Sequence, residues 1–323
     1  MTVPLIAGDG LPLKLTRVMA EKPPPRGPVL LVHGAGNRGA TFRPPHRTTL
    51  VDALLAEGWD VWLFDWRASK EVGLVGWTLD QAAEFDHPAA VAKVLELTGA
   101  DDVKIIAHCV GSASVALSAA SGRLPGVSTI IGNAFTLHPV VPPVSTAKLR
   151  GLVPIVSTLT RDVSPAWGDE PDGLLAQLIR LVVRATHREC HNDVCRMASF
   201  IFGGGRSSLW NHENLDEATH DWLRAEFGPV PLTFFRQMAK AAARGHFGSV
   251  YTGPPDARFV LLTGEHNRCF LPESQHRTFA HLERRQPGRH ELHVFPGYGH
   301  LDVFIGKNAH TDTFPTILAE LEK

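Results

Sequence analysis

The chain is poor in cysteine, with four among 323 residues: Cys109, Cys190, Cys195 and Cys269. So few exclude a disulfide framework. It has no excess of charge of either sign, with 32 Lys and Arg against 33 Asp and Glu and a net charge of −1. That balance argues against an electrostatic nucleic-acid binder, which needs a basic face. No apolar run reaches the ~18 residues of a membrane-spanning helix. The opening residues MTVPLIAGDG carry no basic start and no small-residue cleavage site, so a secretory signal is not expected and a cytoplasmic location is. There is no internal repeat and no low-complexity tract. What is plentiful is apolar: hydrophobic residues make up 44% and charged residues 20%, which excludes disorder as the main state. The length corresponds to roughly two domains, or to one large α/β domain carrying an insertion.

The apolar residues fall in short blocks. Segments Val3–Ala7 and Pro12–Val18 read as strands joined by a Gly8-Asp9-Gly10 turn, and Glu21–Pro28, with its prolines, reads as a loop. Val29–Val32, Val61–Phe64, Val103–Ile106 and Ser128–Ile131 are continuous apolar runs, the pattern of strands buried on both faces. Helical patterns separate them at Thr48–Glu57, from a Thr78/Gln81 capping box onward, and at Val110–Ser121. Pro88 is expected to break or kink the second of these. Alternation stops near Val140. Helical patterns then follow at Leu174–Arg184, Asp193–Phe202, Leu215–Phe227 and Leu232–Ala243. Strands resume at Phe259–Leu262 and Glu291–Phe295, with helices at Pro272–Glu283 and Asn308–Leu321. The pattern predicts a mostly parallel sheet with helices on both faces, interrupted by a helical insertion: core over 1–141, cap over 142–255, core again over 256–323.

One segment concentrates chemistry. In Ile105-Ile106-Ala107-His108-Cys109-Val110-Gly111-Ser112 a buried strand turns sharply into a helix. A side chain at the apex of such a turn needs small residues two before and two after, here Ala107 and Gly111. The segment resembles the nucleophile elbow of the α/β-hydrolase fold, usually Gly-x-Ser-x-Gly, with Ala at the first small position and Cys109 in place of serine. At a helix N-terminus a thiolate is favoured by the dipole and the free N–H groups, so Cys109 is read as a nucleophile. Val32-His33-Gly34-Ala35-Gly36 resembles the family's oxyanion segment, and implies the N–H groups of Ala35 and Val110 as oxyanion donors. It lacks the Gly-Lys-Ser/Thr ending of a phosphate loop. Gly297-Tyr298-Gly299-His300 follows the last strand, where the family keeps its general base, and so implies His300.

The resemblance also expects an acid after the strand Phe259–Leu262. The register of Gly264-Glu265-His266-Asn267 places Asn267 there. An asparagine can accept the imidazole N–H and fix its tautomer, as in Cys-His-Asn enzymes. Glu265 and Asp302 are the rival carboxylates. Phe64-Asp65-Trp66-Arg67 reads as a loop brace. His187, Cys190, His191 and Cys195 form a local His/Cys group without the paired spacing of a zinc motif, and no metal is expected.

A cysteine nucleophile is similar to that of dienelactone hydrolases and polyhydroxyalkanoate synthases. Leu63–Ser69, Ala107–Ser112 and Pro296–Gly306 look like the hydrolase-like domain found beside sterol-oxidase-like flavin oxidoreductases. The resemblance implies acyl transfer without a cofactor: hydrolysis or transfer of an ester, lactone or thioester through a thioester at Cys109. The apolar cap residues Leu174, Leu178, Ile179, Phe200, Phe202, Phe234 and Phe235 suggest a small-molecule substrate with a hydrophobic acyl group. The alternative is a non-catalytic scaffold of the same fold, an accessory to a partner enzyme or a homo-oligomer.

Overall fold

The computed structural model describes residues 1–20, 23–248 and 256–323. The expected cap boundary at Pro255, and Glu21 at the start of the proline-rich loop, lie outside them. Eight strands form one sheet: β1 (Thr2–Ile6), β2 (Pro12–Arg17), β3 (Pro28–Val32), β4 (Asp60–Asp65), β5 (Val103–His108), β6 (Val127–Asn133), β9 (Arg258–Gly264) and β10 (Glu291–Phe295). A separate two-residue pair, β7 (Asp162–Val163) and β8 (Val230–Pro231), closes antiparallel between them in the chain. The order in the large sheet is β1-β2-β4-β3-β5-β6-β9-β10. The pairs involving β2 are antiparallel and the rest parallel.

The apolar runs explain the layering. Successive side chains of a strand point to opposite faces. Leu30, Val32, Ile105 and Leu261 join one core, while Val29, Leu31, Ile106 and Val260 join the core on the other face. With helices on both faces the central strands β3, β4, β5, β6 and β9 are almost wholly buried, which is why alternation with polar residues is missing from them.

Three departures from the sequence reading fall at prolines. Pro88 does not break its helix. A π-turn over Ala82–Asp86 precedes it and Pro88 sits in the first turn of His87–Thr98, where its missing N–H costs nothing. The same device at Pro154 joins Pro143–Ala147, a π-turn over Lys148–Leu152 and Val153–Leu159, a run in which proline and glycine hide the helical period. Pro315 splits the expected closing helix into Ala309–Asp312 and Phe314–Leu321. The Thr78/Gln81 capping box forms as read, and the helix read over Leu215–Phe227 shortens to Glu217–Leu223, capped by Asp216.

Arg67, after β4, is a brace. Its guanidinium is buried and grips Asp86 at 2.6 Å and 2.9 Å and Asp9 of the first hairpin turn at 3.0 Å. Burial raises the Asp86 carboxyl against the pull of Arg67, so the geometry of the fork matters. Arg67→Lys keeps the charge and loses the fork. It is expected to lower unfolding stability by about 2 kcal/mol, read from urea melts. No loss would mean that the fork contributes nothing.

Candidate active site

β5 ends at His108 and a helix begins at Val110, leaving Cys109 alone in the turn. Its backbone lies at φ 56° and ψ −129°, which costs a residue with a side chain about 1–3 kcal/mol. The Cys109 N–H donates to Asn133 O, at the end of β6, at 2.9 Å. Gly111 backs onto the neighbouring turn so closely that a Cβ there would lie 2.3 Å from His33 O, and a Cβ on Gly34 would lie 3.1 Å from Cys109 Cβ. The glycines therefore let the turns after β3 and β5 meet at the sulfur. The sheet order reverses between these same strands: the chain goes from β3 outward to β4 and returns across to β5. Such a switch point leaves a crevice at the carboxyl ends of the strands, where α/β sheets take ligands.

His300 reaches this crevice from the turn after β10. Asn133 Nδ2 donates to His300 O at 2.7 Å, and the His300 and Leu301 N–H groups donate to Leu209 O at 3.1 and 2.8 Å. His300 Nδ1 lies 3.1 Å from Asn267 Oδ1, which also accepts the N–H groups of Cys269 at 3.0 Å and Phe270 at 3.3 Å. An oxygen holding two N–H donors accepts a third, so Nδ1 carries the proton and Nε2 is free. The two rival carboxylates bond elsewhere. Glu265 is exposed and accepts the Gly297 N–H at 3.2 Å. Asp302 is buried and accepts from Gly299 N at 2.9 Å and Asn214 Nδ2 at 2.7 Å. The Cys109 sulfur and one ring nitrogen each of His300 and His108 lie within 4.8 Å of one another. His108 and Asn133 were not singled out in the sequence. His108 could have been, from its place beside the apex; nothing marks Asn133.

The family model for the alpha/beta hydrolase fold matches residues 27–133, the stretch from β3 through β6. The chain has the α/β-hydrolase fold. Solved structures of that fold resemble it over nearly its whole length. A monoacylglycerol lipase from Paleococcus ferrophilus is 16% identical, with a TM-score of 0.62 over 95% of this chain and 98% of that one. A thermophilic esterase from Thermogutta terrifontis is 16% identical, with a TM-score of 0.60 over 100% and 98%. An esterase from Exiguobacterium antarcticum is 12% identical, with a TM-score of 0.60 over 100% of both chains. A comparison with curated proteins finds no match.

In this α/β-hydrolase fold a cavity of about 90 Å³ opens over Cys109. Gly34, Ala35, Val110 and His300 form its floor, and Leu149, Phe202, Phe234 and Met238, from helical segments between β6 and β9, its walls. Of the cap residues expected there, Phe202, Phe234 and Phe235 line it, while Ile179 and Phe200 line an adjoining cleft. Leu174 and Leu178 do not. They are 80% and 62% exposed, on the outer face of the helix Gly173–Thr186. Lys148 borders both spaces, its ammonium donating to Phe200 O and, at 2.6 Å, to Gly203 O. Burial brings that amine down to about 8.

The same apolar walls set the protonation of the site. Burial pushes the Cys109 thiol up to about 12, although the Val110 N–H donates to the sulfur and favours the thiolate. Burial pushes His300 down to about 3. Both shifts oppose the thiolate that the helix N-terminus favours. No helix among the described residues is long and apolar enough to cross a membrane.

Proposed function

We propose that the protein is an acyl-transfer enzyme of the esterase type, with Cys109 as nucleophile, His300 as base and Asn267 as the residue that orients the base. The observation that carries this reading is the strained apex at Cys109, beside an imidazole whose Nδ1 is held by Asn267 Oδ1 at 3.1 Å. The esterase and lipase names of the solved structures that share the fold support an ester substrate.

In the proposed reaction the Cys109 thiol passes its proton to His300 Nε2 as the sulfur attacks the carbonyl carbon of an ester, lactone or thioester. The carbonyl electrons move to the oxygen, which the Ala35 and Val110 N–H groups hold. The C–O or C–S bond to the leaving group breaks, and His300 returns the proton to that group. A thioester remains on Cys109. Water, or an amine or alcohol, then loses a proton to His300, attacks the thioester and releases the thiol. Phe202, Phe234, Phe235 and Met238 favour a hydrophobic acyl group. The test is intact-protein and peptide mass spectrometry after rapid acid quench with short and medium p-nitrophenyl esters. One acyl adduct on the Cys109 peptide is expected. Turnover with the adduct elsewhere, or with none under conditions where deacylation is slowed, would refute the reading.

In this reading Cys109 and His300 rest as a neutral thiol and a neutral imidazole, as burial favours. A thiol at about 12 is protonated throughout the neutral range, and only the thiolate is alkylated. Iodoacetamide labelling of Cys109 should therefore rise about tenfold per pH unit from about pH 7 to 10. A rate independent of pH there would mean a preformed thiolate–imidazolium pair.

A further inference from the structure

Away from the crevice, the insertion gathers four donors that the sequence keeps apart. Cys190 lies in the loop after the helix Gly173–Thr186, Cys195 on the helix Asp193–Phe202, His212 in a short 3-10 turn over His212–Asn214, and His220 on the helix Glu217–Leu223. Their two sulfurs and one ring nitrogen each lie within 4.8 Å of one another. His187 and His191, the histidines nearest to the cysteines in sequence, are not part of this set. We propose that Cys190, Cys195, His212 and His220 form a closed, tetrahedral Zn²⁺ site. The site is independent of the acyl-transfer reading.

The size fits. With Zn–S near 2.3 Å and Zn–N near 2.05 Å, the S-to-N edge of a tetrahedron is about 3.6 Å. Cys195 Sγ and His212 Nε2 stand 3.3 Å apart. The donor type fits as well, because two thiolates and two imidazoles in tetrahedral array select zinc over the hard, oxygen-seeking cations. Outer contacts of the kind that metal sites use are in place. Ser207 Oγ lies 3.2 Å from His212 Nδ1, which leaves Nε2 for the ion, and the Trp210 indole N–H donates to Cys195 Sγ at 3.2 Å. The buried His220 Nδ1 has no hydrogen-bond partner among the described residues, and all four cysteines are free thiols. Four protein donors leave no position for substrate, so the ion would be structural.

What it would fasten is the segment Leu209–Asn214. Trp210 and His212 tie that segment to the proposed ion. The same segment supplies Leu209 O to the His300 and Leu301 N–H groups, and Asn211 Nδ2 to Gly297 O at 2.8 Å. Zinc would thus hold the strip of the insertion against which the His300 turn rests.

The experiment is metal analysis of the full chain purified under reducing conditions, followed by replacement with Co²⁺. About one zinc per chain is expected. The Co²⁺ form should show the intense visible bands of tetrahedral cobalt and a thiolate-to-cobalt charge-transfer band. Cys195→Ser and His220→Gln should each lose the stoichiometric metal, and His191→Ala should keep it. Stripping the wild type should lower its melting temperature by roughly 5 °C or more. A wild-type protein that melts cooperatively yet takes up neither zinc nor cobalt overturns the site. So does a Cys190–Cys195 disulfide in the reduced preparation, or full metal content in His220→Gln.

Discussion

Cys109→Ala is expected to lower kcat/KM by about 10⁴-fold or more against any ester or thioester that the wild type turns over, and to leave the fold intact. The size follows from what is removed. Without a nucleophile no covalent step remains, and only binding and oxyanion donors are left, which in such enzymes supply a residual about 10³–10⁴ over water. The fold should hold because alanine accepts the φ 56° apex as well as cysteine does: both carry a Cβ, and the apex is fixed by the Asn133 carbonyl and the close approach of Gly111, not by the sulfur. Melting temperature and the Cys109→Ala rate are therefore read together. Cys109→Ser should lose about 10³-fold, because the hydroxyl is harder to deprotonate than a thiol and His300, held low by burial, is a weak base. An alanine variant within tenfold of the wild type would end the assignment. An inert wild type would instead favour the non-catalytic alternative.

Much of this site was legible because its constraints are local. Ala107 and Gly111 flank Cys109 at fixed spacing, and the reason is a clash of backbone atoms that any observer of the sequence can anticipate: a Cβ on Gly111 would lie 2.3 Å from His33 O. The continuous apolar strands were legible for a similar reason, since both faces of each must be covered. The effect of burial on the thiol was not. A helix N-terminus favours an anion by about 0.3–1 kcal/mol, whereas burial can move a thiol by up to about 3–5 pH units, and burial depends on Phe202, Phe234 and Met238 folding back from far along the chain. The helix over 143–159 stayed hidden because π-turns absorb the prolines that should have ended it. Leu174 and Leu178 misled for a related reason: apolar spacing shows that a helix has a stripe and does not say what lies opposite. The two cysteines of the proposed metal site were visible at once. Their histidine partners arrive from other segments, so nearness in sequence pointed to His187 and His191 instead.

Asn267→Ala should lower kcat by about 10²–10³-fold while KM stays within a few-fold. The amide oxygen holds one imidazole N–H and two backbone N–H groups, at 3.1, 3.0 and 3.3 Å. Its loss frees His300 to rotate or to shift its proton to Nε2, and an Nε2–H cannot take the Cys109 proton. It also strands the Cys269 and Phe270 N–H groups in a buried place, so unfolding stability should fall by about 1–3 kcal/mol. Asn267→Asp acts in the other direction. The amide NH₂ group is buried without a partner among the described residues, and all three neighbours of the oxygen are donors, so a carboxylate meets no clash of hydrogen-bond sense. Its charge beside His300 would raise the imidazole from about 3 and favour imidazolium as the proton leaves Cys109. Two readouts follow. Iodoacetamide labelling of Cys109 in Asn267→Asp should become faster and less steep with pH than in the wild type, because a stronger base at His300 draws the thiol toward the ion pair. In the Cys109→Ser background, adding Asn267→Asp should recover about tenfold or more of the lost rate, since serine has more need of a base backed by a full charge. Glu265→Gln, at an exposed carboxylate bonded to Gly297 N, should stay within twofold of the wild type. If Glu265→Gln proves crippling and Asn267→Ala does not, the orienting role belongs to the rival carboxylate and the Cys-His-Asn assignment is wrong.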